Sequence, residues 1–202
     1  RDWSSDVCSS DLSNTTASYN TAVGYQAGYS NTTGSLNTAI GNQALYANTT
    51  ASSNTAVGHI SLTNNTTGSG NTSVGANSLQ SNTTGSSHVA VGLQALYSNT
   101  TGAYNTAIGY TALLSNTTGS RSIAMGYQAG YSNTTGAINA IGDGALYSNT
   151  TGAGNVALGG GNNTALYPSL YANTTGNYNT AVGMGSLGQN TTASYNTAVG
   201  YQ

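Results

Sequence analysis

Small, β-branched and apolar residues alternate along this chain within a unit that repeats every seventeen residues. The triplet Asn-Thr-Thr recurs at that interval from Asn14 to Asn133. It recurs with altered spacing at Asn149 and Asn173, and again after seventeen residues at Asn190. The consensus unit reads N-T-T-G-S-Y-N-T-A-V-G-Y-Q-A-L-Y-S. Thr and Val alternate with Ala in the T-A-V segment, which is the two-residue period of a pleated strand. No window shows the 3.6-residue period of a helix, so the pattern predicts strands throughout.

Each unit predicts two short strands, T-A-V and A-L-Y, with turns at the glycine and around N-T-T-G. The Thr of T-A-V is exchanged for Val89, Ile123 and Val156, and this β-branched set favours strand over helix. Seventeen residues cannot hold a helix pair or a propeller blade. We therefore expect an all-β fold, a parallel β-solenoid or β-roll of about eleven stacked 17-residue repeats, with rungs about 4.8 Å apart.

One position of the unit is glycine in every copy. We expect it to form a turn with φ > 0, or to lie where no Cβ fits. These structural turn residues are Gly24, Gly41, Gly58, Gly75, Gly92, Gly109, Gly126, Gly142, Gly159, Gly183 and Gly200.

The residue before this glycine is apolar in every copy, and a Leu usually follows later in the unit. We expect both positions to form the hydrophobic core. Gly28 and Gly130 replace the Leu in two copies. The predicted core residues are Val23, Ile40, Val57, Val74, Val91, Ile108, Met125, Ile141, Leu158, Val182, Val199, Leu45, Leu96 and Leu146.

Departures from the repeat define the domain organisation. Residues 1–12 (RDWSSDVCSSDL) hold the only Trp and the only Cys, and they resemble the translation of a sequencing-adapter read, so we interpret them as a non-native leader. Residues 13–202 form one repeat domain, which we expect to be truncated at both ends. One residue is missing near 139–140, and seven are inserted within 159–168, where we expect a surface loop.

Charge is nearly absent and excludes several classes of function. Charged residues make up 3% of the chain, and beyond the leader only Arg121 and Asp143 carry a formal charge. Nucleic-acid binding needs several cations to displace counterions, so we expect no nucleic-acid partner. No apolar run reaches the about 18 residues of a membrane span, so we predict no membrane insertion in this segment. The repeats lack Cys, which excludes disulfides and thiolate metal sites from them.

Titratable side chains are too few and too scattered for catalysis. Apart from the tyrosines, the repeats offer only Arg121, Asp143, His59 and His88, and each His is a single exchange at a repeat position, for which we expect a surface or packing role. No Ser or Thr has a base and an orienting group in evidence. We predict that the protein is not an enzyme and has no catalytic residues, no cofactor and no metal ligands.

Three tyrosines, Tyr25, Tyr110 and Tyr127, share one repeat position. Stacked repeats would place them in an interrupted aromatic column. We expect this column to pack between rungs more than to contact a ligand.

Every Asn-Thr-Thr triplet also matches the acceptor pattern for N-glycosylation. The alternative is a turn, because Asn tolerates the left-handed region and caps its own backbone. The candidate glycosylation sites are Asn14, Asn31, Asn48, Asn65, Asn82, Asn99, Asn116, Asn133, Asn149, Asn162, Asn173 and Asn190.

Three runs carry a family resemblance: residues 88–92 (HVAVG), 122–126 (SIAMG) and 155–159 (NVALG). They resemble the S-V-A-I-G motif of trimeric autotransporter adhesin heads, which are left-handed parallel β-rolls of three chains. The commoner N-T-A-V-G, followed by A-L-Y-S-N-T-T-G, resembles the repeat stalks of bacteriophage tail fibres. The resemblance covers residues 13–202 and implies an extracellular fibre on a virion tail or a cell surface.

Each rung buries few apolar atoms for seventeen ordered residues, so we expect a homo-oligomer, a trimer, with the Ala face or the tyrosines packed between sister chains. The expected function is a structural fibre or stalk that mediates attachment, with a host-surface glycan or receptor as partner. An N-glycosylated extracellular fibril is one alternative. An ice-binding β-solenoid is another, although adjacent T-T places its side chains on opposite faces of a strand.

Overall fold

The computed structural model describes residues 13, 15–161 and 167–201. Its strands lie in one parallel sheet in sequence order, and the described residues contain no helix. This confirms the predicted all-β parallel β-solenoid of stacked 17-residue repeats. The strands are β1 Thr21–Val23, β2 Thr38–Ile40, β3 Thr55–Val57, β4 Thr72–Val74, β5 Val89–Val91, β6 Thr106–Ile108, β7 Ile123–Met125, β8 Ile138–Ile141, β9 Asn155–Leu158, β10 Thr180–Val182 and β11 Thr197–Val199.

Equivalent residues of successive repeats lie directly beside one another. In β1 and β2, for example, Ala22 pairs with Ala39. Hydrogen bonds between rungs flank the strands as well, since the Thr38 N–H donates to the Asn54 carbonyl at 2.8 Å. The backbone hydrogen bonds therefore join one rung to the next, and each repeat position becomes a column of side chains along the solenoid.

The prediction of a second strand in the A-L-Y segment is wrong, because that segment is a turn. Gln43 and Leu45 both have φ of 54°, which lies in the left-handed region and not in the β region. The turns still stack as the strands do: the Gln43 N–H donates to the Tyr25 carbonyl at 2.8 Å, and the Leu45 N–H donates to the Ser61 carbonyl at 3.0 Å. A rung is thus one strand and a series of hydrogen-bonded turns.

The residue before the recurrent glycine was predicted to lie in the core, but it points to the outer side of the sheet. The core lies on the inner side. The central residue of each strand points inward, as Ala56 does with no exposed surface, and its neighbours point outward because strand side chains alternate. Ile108 is 38% exposed. The prediction of core positions is therefore wrong for Val23, Ile40, Val57, Val74, Val91, Ile108, Met125, Ile141, Leu158, Val182 and Val199.

The Ala face is instead the interior of each chain, so it is not available to sister chains, contrary to our expectation. The strand alanines form one cluster with the Ala and Leu residues of the turns. The predicted core residues Leu45, Leu96 and Leu146 are buried, which confirms them. Small alanines opposite Leu give a thin interior with little apolar volume.

The two copies that lack this Leu are packed in different ways. At Gly130 the space is filled by a neighbour, since a Cβ there would lie 2.9 Å from Ile138 Cδ1 and 3.1 Å from Leu113 Cδ2. At Gly28 a small cavity remains, lined among others by Ala39 and Leu45.

The stack absorbs both changes of repeat length. Ile138 pairs with Asn155, so the missing residue lies just before Ile138 and not near 139–140 as expected. At the insertion, the Ser169 N–H donates to the Gly159 carbonyl at 3.0 Å, which closes the excursion of the chain. Residues 162–166 of this insertion lie outside the described residues, as does the leader 1–12.

The recurrent glycine has both properties predicted for it. Its φ lies between 114° at Gly183 and 152° at Gly159, a region that L side chains rarely adopt. In addition, a Cβ on Gly24 would lie 2.7 Å from the carbonyl oxygen of Gly41 in the next rung. Rungs can approach one another at this corner only because no side chain is present.

We predict that Gly109→Ala lowers the free energy of unfolding by about 3 kcal/mol or more, because it combines backbone strain with a clash against the Gly126 carbonyl. Gly70→Ala is the control within the stack: its φ is also positive, at 70°, but its Cβ would meet only Ser87 Oγ at 3.8 Å. We expect this control to lose only about 1–2 kcal/mol, the cost of the left-handed backbone conformation alone. Thermal unfolding followed by circular dichroism measures both, and equal losses would contradict the close-approach explanation.

Candidate functional site

The Asn of each Asn-Thr-Thr triplet points into the interior, where it bonds to copies of itself. Asn99 Nδ2 donates to Asn82 Oδ1 at 2.9 Å and to the Gly102 carbonyl at 3.1 Å. Its Oδ1 accepts from Asn116 Nδ2 at 2.9 Å. We call this column the first asparagine ladder. Its described members are Asn31, Asn48, Asn65, Asn82, Asn99, Asn116, Asn133, Asn149, Asn173 and Asn190.

The chemistry of the amide explains why this residue recurs. A primary amide carries two donor hydrogens and an acceptor oxygen, so one side chain can bond its own turn and both neighbouring rungs. Asp cannot donate these bonds when ionised, and Ser has a single hydrogen. Because the ladder is buried, each unmatched group would carry the full cost of its desolvation. The ladder therefore requires stacking in register.

The ladder contradicts the predicted glycosylation of the buried triplet asparagines. From Asn48 to Asn173 both Nδ2 hydrogens are engaged, one to the previous ladder amide and one to a backbone carbonyl, and Asn31 Nδ2 donates to the Gly34 carbonyl. A glycan on this buried nitrogen would remove a donor and would need space that the interior does not offer. This correction applies to Asn31, Asn48, Asn65, Asn82, Asn99, Asn116, Asn133, Asn149 and Asn173. Asn190 is half-buried and still donates to Asn173 Oδ1 at 2.8 Å. Asn14 and Asn162 lie outside the described residues.

A second asparagine ladder stands immediately before the strands. The Asn54 N–H donates to Asn37 Oδ1 at 2.9 Å, and Asn54 Nδ2 donates to the Gly68 carbonyl at 3.0 Å. Here the side chain joins the backbone of one rung to that of the next. This position was not among the site residues predicted from the sequence, although Asn recurs there in most repeats. Its members are Asn20, Asn37, Asn54, Asn71, Asn105, Asn155, Asn179 and Asn196.

His88 occupies one position of the second ladder and is 1% exposed. Its N–H donates to Asn71 Oδ1 at 3.0 Å, and its Nδ1 accepts from the Asn105 N–H at 3.2 Å. The imidazole thus reproduces the acceptor of the missing amide, which is the packing role expected. Burial lowers the pKa of His88 to about 4. His59, in contrast, is exposed.

The two Thr residues of each Asn-Thr-Thr triplet differ in exposure and in hydrogen bonding. The first Thr is half-buried, and its hydroxyl bonds to the backbone: Thr32 Oγ1 donates to the Thr49 carbonyl at 2.9 Å. The second Thr is exposed in every described copy. We call these residues the threonine column: Thr16, Thr33, Thr50, Thr67, Thr84, Thr101, Thr118, Thr135, Thr151, Thr175 and Thr192.

Tyrosines stack where adjacent rungs both carry one. The rings of Tyr110 and Tyr127 lie 5.2 Å apart at 8°, which confirms the predicted stack, whereas Tyr25 is followed by Asn42. At another repeat position, Tyr147 stacks on Tyr131 and Tyr171 at 5.0 and 5.3 Å. Stacking covers ring faces, so these tyrosines present mainly edges and hydroxyls to solvent.

The remaining candidate groups do not assemble into a reactive centre. The Arg121 guanidinium lies 5.8 Å from the ring centroid of Tyr104, and Asp143 is exposed. Within residues 15–161 and 167–201, no three His, Cys, Asp or Glu side chains lie close enough to hold a metal ion. In that part of the chain, no helix is long and apolar enough to cross a membrane.

The fold and the buried amide columns define this chain as a repeat β-solenoid protein with asparagine ladders. No protein-family model, curated protein or solved structure matches it.

We predict that Asn99→Ala lowers the free energy of unfolding by about 3–5 kcal/mol, because it leaves Asn82 Oδ1, the Gly102 carbonyl and Asn116 Nδ2 each short of a partner. Asn42→Ala, at an exposed position, should change it by less than about 0.5 kcal/mol. Denaturant titration of both variants tests this. A loss at Asn99 no larger than that at Asn42 would show that the ladder does not stabilise the stack.

We predict that acid destabilises the protein through His88. Its folded-state pKa, about 4, lies below the ordinary value of 6.5, so its contribution to stability is complete above pH 6.5 and is lost as the pH falls to about 4. The loss should be on the order of 3 kcal/mol.

The variant His88→Asn restores the ladder amide and should remove this part of the pH dependence. His59→Asn, at an exposed position, is the matched control and should retain it. Thermal midpoints measured between pH 7 and pH 4 compare the three proteins. An unchanged pH profile in His88→Asn would contradict the assignment.

Proposed function

We propose that this chain is a shaft segment of an extracellular fibre, which holds an attachment site away from a virion or cell. The observation that carries the proposal is the uninterrupted, in-register stack of eleven strands. A stack of this kind grows along one axis, and at about 4.8 Å per rung it spans about 50 Å.

The bonding within the stack suits a shaft. Strands, turns and both asparagine ladders all join consecutive rungs, so bending would strain several columns of hydrogen bonds at once. The repeats are nearly uncharged, and their polar surface is formed by Thr, Ser, Asn and Gln. A surface of this kind lacks the long-range fields that attract charged partners non-specifically.

The proposed setting is a virion tail fibre or a bacterial surface adhesin, and it is supported by the N-T-A-V-G and S-V-A-I-G resemblances. We propose a homo-oligomer, a trimer, that acts without catalysis. Its partner is a host-surface glycan or receptor, met at the tip of the fibre or along the shaft. Amide and hydroxyl groups on the shaft are the chemistry that would contact a sugar.

Ice binding is a second candidate, favoured by the unbroken threonine column. Against it, the neighbouring Thr hydroxyls are already bonded to backbone carbonyls, so a single rank of free hydroxyls remains. A thermal-hysteresis assay decides: ice shaping would support this candidate, and its absence at high protein concentration would remove it.

For the shaft proposal we predict that duplicating residues 82–115, two complete repeats, lengthens the particle by about 10 Å at constant cross-section. Small-angle X-ray scattering of the parent and extended chains yields both dimensions. Deleting the same residues is the complementary control and should shorten the particle equally. A change in cross-section without a change in length would contradict a shaft.

A further inference from the structure

The outer face of the sheet carries two columns of exposed or half-exposed side chains. The residue two positions before each recurrent glycine, Ala in every strand except for Ser73 in β4, points inward, so the strand residues on either side of it point outward. We call this surface the outer sheet face. The last residue of each strand forms one of its columns, which comprises Val23, Ile40, Val57, Val74, Val91, Ile108, Met125, Ile141, Leu158, Val182 and Val199.

This column of last strand residues is apolar in all eleven rungs, although no described residue covers it. Ile40 and Ile141 are 38% and 42% exposed. Other exposed positions behave differently: the threonine column is always polar, and the position of Leu36 also holds Ser53 and Arg121. Eleven apolar residues at a solvent-facing position indicate a surface that becomes covered.

The other strand column agrees with this reading. Where its Thr is exchanged, the replacements are Val89, Ile123 and Val156, with Asn139 as the polar exception. Val89 and Ile123 are 38% and 39% exposed. A free surface would tolerate charged residues here, and the described strands carry none.

Period and area identify the occupant as a second copy of the chain. The outer sheet face repeats at about 4.8 Å, and a partner that fits along its whole length needs the same period. A face about 50 Å by about 10 Å gives roughly 1,000 Å² buried in total by a pair, which reaches the lower limit for specific association. The absence of charge allows two identical faces to meet without repulsion.

We infer that copies of this chain associate through their outer sheet faces, which line the inside of the assembly. The inference rests on the proposed homo-oligomeric shaft and names the surface by which it assembles. Association there covers the apolar column that a single chain leaves exposed, and it leaves the threonine column free.

Cross-linking tests the face directly. In a Cys8→Ser background, Ile108→Cys places one thiol on the middle rung, where two copies in full overlap meet whether parallel or antiparallel. A short bismaleimide should join Ile108→Cys chains at micromolar concentration. The control Thr101→Cys carries its thiol on the threonine column of the same repeat and should remain single. Equal linking of both variants, or none at Ile108→Cys, would overturn the inference.

Sedimentation equilibrium and X-ray scattering separate this inference from the shaft proposal. Ile108→Lys should raise the Kd of the assembly at least tenfold, whereas Thr101→Lys should leave the Kd unchanged. Circular dichroism checks that both variants remain folded. If the parent protein is a rod of one chain, the inferred association is refuted and the shaft proposal stands. A compact or unfolded parent particle would refute the shaft itself.

Discussion

Buried amides that bond to copies of themselves are the constraint on which this structure depends. Asn99 reaches its partners only when Asn82 and Asn116 occupy the same place in the rungs on either side. If one rung slipped by one residue against the next, amide donors and acceptors of the column would lose their partners. Apolar packing opposes the same slip, since it would turn the strand alanines outward, but the thin interior of Ala and Leu supplies little apolar volume to hold the rungs together. The repeat is therefore held uniform by hydrogen bonds more than by hydrophobic volume.

Two departures from the consensus support this view, because each is compensated by a second exchange nearby. The only strand with Ser at its centre, at Ser73, meets Ser61 and Ser78 in place of turn alanines, and their hydroxyls bond at 2.8 and 2.9 Å. Likewise, the rung that loses its turn Leu at Gly130 is filled by Ile138, which stands in the second ladder. In these two rungs the interior stays filled and its polar groups stay bonded, although residues other than the consensus ones supply the contacts.

The stacking of identical repeats in register explains which features of the fold could be predicted from the sequence. Period and alternation predicted the solenoid, its columns, the glycine corner and the Tyr110–Tyr127 stack, because each follows from identical units lying side by side. The second strand could not be predicted correctly, since Leu45 adopts a left-handed conformation that Leu rarely enters. The core was assigned to the larger residue of the Ala-Val pair, although the narrow interior accepts Ala. Asn-Thr-Thr matches both a turn and a glycosylation signal, and the burial of the Asn side chain distinguishes the two.

The hydrogen-bond network of the interior also helps to interpret which exposed positions vary between repeats and which do not. Residues that keep the register are buried or bonded to the backbone, so the exposed positions are free to vary, as the position shared by Leu36 and Arg121 does. Uniformity at an exposed position then needs a cause outside the rung. Two columns meet that description, the threonine column and the apolar column of the outer sheet face. Because desolvation favours covering the apolar column, the association that we infer uses that side and leaves the threonine column in contact with solvent.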